Sequence, residues 1–176
     1  MRRHIVALLT AMTVLAVVAG TAMGAVNNKA GLPTATFSGD TVTVTGGDFS
    51  GLGNTPAYAN LSVSGFATYT CTNPTGHASP GQNPVDAQQG STGPVQLPTN
   101  KNGRATIPSL SSSVTAPATP TAQEAGCGGK GSTQWTVTLN ALTATAAHLE
   151  ITHGNPGPII FCRDYTSTGP ATGTAC

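Results

Sequence analysis

Charge is scarce in this chain: 7% of its 176 residues are charged, against roughly 25% in an ordinary soluble domain. Seven Lys and Arg stand against six Asp and Glu, so there is no basic stripe to neutralise phosphates, which argues against nucleic acid as a partner. No apolar run reaches the roughly 18 residues a membrane span needs. The longest, Ile5 to Gly20, follows Arg2, Arg3 and His4 and leads to Ala22-Met23-Gly24, with small residues where a signal peptidase cuts. Residues 1–24 are therefore expected to be a cleaved signal peptide, giving an extracellular protein without stable membrane insertion. No cysteine precedes Cys71, so a lipid-anchored amino terminus has no sulfur to use. Long straight-chain helix formers are also rare after Ala25. Hydrophobic residues, at 38%, are too many for a chain disordered throughout.

What is abundant is threonine, 29 of it, together with 22 Gly and 13 Pro. Thr41-Val42-Thr43-Val44-Thr45 alternates with period two, as do Asn60 to Ser64, Trp135 to Leu139, and Leu149 to Thr152. Such alternation marks half-buried strands with one dry and one wet face. Strands are expected near 33–37, 41–46, 57–72, 103–109, 133–142, 145–153 and 158–165. The stretch from Ala141 to Glu150 tempts a helix, but its three threonines disfavour one, and a strand pair or one long bent strand is expected instead. Gly46-Gly47, Asn102-Gly103 and Gly154-Asn155-Pro156-Gly157 punctuate the strands as turns, and Gly65 marks a bulge or bend. The fold expected is all-β, an immunoglobulin-like two-sheet sandwich of about seven strands. It would occupy residues 33–176 as one domain, behind a flexible arm at 25–32. Long loops are expected at 73–99 and 111–126. Trp135, in phase with Val137 and Leu139, is expected to be the core pin.

The ordered motifs Ser50-Gly51-Leu52-Gly53-Asn54, Cys71-Thr72-Asn73-Pro74, Pro80-Gly81-Gln82-Asn83-Pro84, Lys101-Asn102-Gly103-Arg104, Ala125-Gly126-Cys127 and Trp135-Thr136-Val137-Thr138 resemble a group of small secreted actinobacterial β-domain proteins, Streptomyces-like and mostly of undefined role. The group usually has a Gly-Gly pair after Asn-Pro, where Thr75-Gly76-His77 stands here; Cys162 and Cys176 are further additions. The resemblance covers about residues 41–162. It implies a secreted β-domain and brings no catalytic residues.

Four half-cystines allow three connectivities. Cys71–Cys127 with Cys162–Cys176 is the pattern expected, because the first bond would tether both irregular tracts and the second would hold the tail; Cys71–Cys162 as an inter-sheet pin competes. The motifs of chemistry fail one by one. Gly47-Asp48-Phe49-Ser50-Gly51 frames a serine with glycines but lacks a strand-then-helix setting. In Gly126-Cys127-Gly128-Gly129-Lys130-Gly131-Ser132 the lysine is followed by glycine, not the Ser or Thr of a phosphate-binding loop. His148 and Glu150 share a strand face, with His153 on the other. The six carboxylates, Asp40, Asp48, Asp86, Glu124, Glu150 and Asp164, read as scattered, and no metal-ligand spacing is evident. No catalytic residue, metal or cofactor is expected.

The function these features support is non-catalytic binding of another secreted or cell-surface protein, as the small adaptor subunit of an extracellular assembly. The hydrogen-bonding loop residues Asn73, His77, Gln82 and Asn83 are the expected contacts. A carbohydrate- or small-ligand-binding module is the alternative. Trp135, Tyr58, Tyr69 and Tyr165 are its candidate stacking residues for polysaccharide, and it gains if Tyr58, Tyr69 and Tyr165 lie exposed along one sheet face.

Overall fold

The computed structural model describes residues 27–28, 31–128 and 134–176; the expected signal peptide lies outside them. Twelve strands run in chain order: β1 (Asn27–Asn28), β2 (Thr34–Ser38), β3 (Thr41–Ser50), β4 (Ala57–Thr72), β5 (Ala78–Pro80), β6 (Val85–Asp86), β7 (Gly90–Ser91), β8 (Val95–Gln96), β9 (Ala105–Ser113), β10 (Thr136–His153), β11 (Ile159–Thr166) and β12 (Thr174–Ala175). One sheet pairs β3 with β1, β2 and β9; the other has the order β12-β11-β10-β4, with β5 to β8 all paired to β4. Every pairing is antiparallel. The long strands β2, β3 and β9 against β4, β10 and β11 follow the chain order of an immunoglobulin sandwich, ABE against CFG.

Alternation builds the core. Val42, Val44 and Phe49 of β3, Leu61 and Val63 of β4, Ile107 and Leu110 of β9, and Leu149 and Ile151 of β10 form one buried cluster between the sheets. Phe49 meets Phe161 edge-on across the interface, ring centroids 4.9 Å apart, and Tyr165 donates from its buried hydroxyl to the Pro33 carbonyl at 3.3 Å. The seven expected stretches become six long strands, because 133–142 and 145–153 fuse into β10. Bulges between Leu139 and Ala141 and between Ala144 and Ala146 bend it.

Two local readings are corrected. Gly46-Gly47 does not end a strand; both glycines take a φ of 81° and bulge β3, which continues to Ser50. Trp135 is not the pin of the main core. It is half-buried against a second, smaller cluster of Ala67, Tyr69, Cys71, Ala122, Ala125 and Cys127, and Leu139, in the same phase, is 41% exposed. The bulge after Leu139 changes which face the following residues present, and Leu142 just past it packs against both clusters.

The tract 73–99 lies along the edge of β4 as four short pieces. β5 pairs with Thr70–Thr72, β6 with Phe66–Ala67, β7 with Ser62–Val63 and β8 with Tyr58–Ala59. Prolines and glycines interrupt it too often for any period to show. Of the tract 111–126, Ser111–Ser113 belong to β9, and residues 122–126 form turns closed by Cys127 N–H donating to Ala122 C=O at 2.7 Å. In the arm, Asn27 and Asn28 pair with Ser50 and Phe49. The disulfides are Cys71–Cys127 and Cys162–Cys176.

Candidate functional site

At the Ala57 end of β4 the loop leading into it and the chain following β8 enclose an open groove of about 560 Å³, lined by residues 53–56 and 96–101. Buried leucines root both walls: Leu52 and Leu97 are 1% exposed. Leu52 N–H donates to Gly103 C=O at 3.0 Å and Leu97 N–H to Ala57 C=O at 2.8 Å. From below, His153 Nε2 donates to Leu52 C=O at 2.8 Å, and Gly154 N–H donates to Pro56 C=O at 2.8 Å. The far wall is a turn in which Asn100 Oδ1 accepts from the N–H groups of Asn102 and Arg104, at 3.0 Å each. Gly103 sits so close to the opposite wall that an added Cβ would lie 2.7 Å from Gly53 N. Arg104 pairs with Asp48 just outside the groove. These anchors fix the walls before any ligand arrives.

The exposed lining includes the carboxamides of Asn54 and Gln96, the Thr55 hydroxyl, the ammonium of Lys101, and the flat faces of Pro56 and Pro98. Lys101 is the one ionisable side chain of that lining. A groove of this kind offers donors, acceptors and one positive charge to an extended chain; it pairs no base with a nucleophile.

The four expected contact residues stand elsewhere, near the Thr72 end of β4, about 50 Å along the strand. Asn73 Oδ1 accepts from Thr75 N–H at 3.0 Å, Thr75 Oγ1 at 2.8 Å and His77 N–H at 2.8 Å, so its carboxamide oxygen shapes the turn. Gln82 Nε2 donates to Pro80 C=O at 3.2 Å, and Asn83 N–H to Ala125 C=O at 3.2 Å. His77, Gln82 and Asn83 remain exposed. Of the three tyrosines, Tyr69 and Tyr165 are buried, at 3% and 1% exposure. Only Tyr58 reaches the surface, half-buried beside a cleft of about 220 Å³ with Asn60, Glu150 and Asn155.

Alternation alone missed one side-chain group. His148 lies opposite Asp164 in the β10–β11 ladder, with Nδ1 2.6 Å from Asp164 Oδ1 and Nε2 3.0 Å from Glu150 Oε1. The hydrogen bond to Asp164, helped by that to Glu150, holds the imidazole pKa above its ordinary value against a partial desolvation that works the other way.

No family model, curated protein or solved structure matches the chain.

Proposed function

We propose that this is a secreted, non-catalytic binding protein that holds an extended segment of another extracellular protein in the groove between residues 53–56 and 96–101. It would serve as the small adaptor of an extracellular or cell-surface assembly. The observation that carries this reading is the preorganised groove itself. Walls already fixed by Leu52, Leu97 and His153 lose little freedom on binding, which favours affinity. Exposed amides and prolines suit a backbone-rich ligand, whereas the aromatic platform a polysaccharide would need has two of its three tyrosines in the interior. Two disulfides and the absence, among the described residues, of a helix long and apolar enough to cross a membrane are compatible with an extracellular setting.

The test is recovery of the tagged mature protein from culture supernatant, beside the variant Asn54→Ala, Gln96→Ala, Lys101→Glu. A stoichiometric protein partner that is lost from the variant, with the melting temperature unchanged, is the expected result. A partner retained equally by both proteins, or retention on polysaccharide with no protein partner, would overturn the assignment.

A further inference from the structure

The tail disulfide closes beside His148 and Asp164. Pairing of β12 with β11 sets Thr174 opposite Asp164 and brings Cys176 Sγ to 3.9 Å from His148 Nδ1. The ligand atoms of His148, Asp164 and Cys176 all lie within 4.8 Å of one another, and the Cys162 sulfur is bonded to that of Cys176. The sulfur of Cys176, an imidazole and a carboxylate thus converge on one point of the outer sheet face, with the Cys162 sulfur bonded to the first. Zinc holds sulfur at about 2.3 Å and nitrogen or oxygen at about 2.0–2.2 Å, so tetrahedral donors stand about 3 to 4 Å apart. The His148–Cys176 separation already meets that spacing. Asp164, with its side chain 52% exposed, is at liberty to swing the few tenths of an ångström its oxygen must move. Glu150 completes the arrangement by accepting from Nε2, so that once zinc displaces the proton that Nδ1 now donates to Asp164, the Nδ1 lone pair would face the metal, the usual orientation of a zinc-bound histidine.

We propose that reduction of Cys162–Cys176 converts this corner into a tetrahedral zinc site formed by Cys162 Sγ, Cys176 Sγ, His148 Nδ1 and Asp164 Oδ1. A dithiol supplies the two electrons and two protons that open the bond and is itself oxidised to a disulfide. Zinc then displaces both thiol protons and any proton on Nδ1. Burial separates the two disulfides: Cys71 and Cys127 are 0% and 2% exposed, while Cys176 is exposed and Cys162 half-buried, so the tail bond is the one a soluble dithiol reaches.

The full chain, treated with a dithiol and freed of it under argon, is titrated with Co²⁺ and then with Zn²⁺. One Co²⁺ per chain with thiolate charge-transfer and tetrahedral visible bands, displaced by Zn²⁺, is expected; the untreated disulfide form shows neither band. Cys176→Ser should abolish the bands, and His148→Ala and Asp164→Asn should each weaken binding about tenfold or more. Absence of thiolate–cobalt bands from the reduced protein, or their persistence in Cys176→Ser, would overturn the site. So would unchanged affinity in both His148→Ala and Asp164→Asn, because two thiols alone would then suffice. Far-ultraviolet circular dichroism of each variant in its disulfide or thiol form checks that the sandwich is intact.

Discussion

A methyl group on Gly65 would lie 2.0 Å from the carbonyl oxygen of Thr143. The two residues meet where β4 and β10 zip together: Gly65 is paired with Ala144, and a bulge follows between Ala144 and Ala146. Backbone, not a pliable side chain, fills the space. Gly65→Ala is therefore expected to cost about 3 kcal/mol, the upper part of the range for overpacking. Urea unfolding measures it, and a loss below about 1 kcal/mol would mean the ladder yields.

Tyr69→Phe should leave stability unchanged or raise it slightly. The Tyr69 hydroxyl is buried and has no hydrogen-bond partner among the described residues, so its removal relieves a desolvated polar group and breaks no bond. A clear fall in melting temperature would overturn this reading.

Burial pushes the Tyr165 phenol up to about 12, partly offset by the nearby Arg163. A folded-state pKa above the unfolded value near 10 means that stability is held below pH 10 and lost as pH rises towards 12. Tyr165→Phe should flatten that alkaline slope. Equal slopes in both proteins would assign the loss to other groups.

The two disulfides should differ in their contribution to stability. Cys71–Cys127 spans 56 residues and Cys162–Cys176 spans 14; on chain entropy their removal costs about 4 and about 3 kcal/mol respectively. Paired Cys→Ala variants compared by denaturant unfolding give the ranking, and a larger loss from the tail pair would contradict it.

The long strands were legible because each carries its own alternation: β4 falls on 57–72 as read. His148 with Asp164 is not legible in the same way. Folding 145–153 onto 158–165 about the turn at 154–157 sets His148 opposite Arg163, and only the bulge between Ile151 and Thr152 shifts the register by one and brings Asp164 there. The strip β5 to β8 gave no signal, since two- and three-residue strands have no period to detect. The groove was hidden for the same reason: its walls meet only because that strip returns residues 96–101 to the start of β4. Trp135 misled because an alternating run shows that one face is dry but not which cluster it faces, and here that cluster is the smaller one.

The broken strip along β4 also bears on whether a second chain could add to that edge. A continuous strand at that position would present an unbroken outer row of amides and carbonyls, a template on which another chain can add. β5, β6, β7 and β8 are only two or three residues each, and Pro84, Pro94 and Pro98 interrupt the donors around them. With 7% charged residues, electrostatic repulsion between molecules is weak. On that side of the sheet, resistance to aggregation is written into the backbone and not into the surface charge.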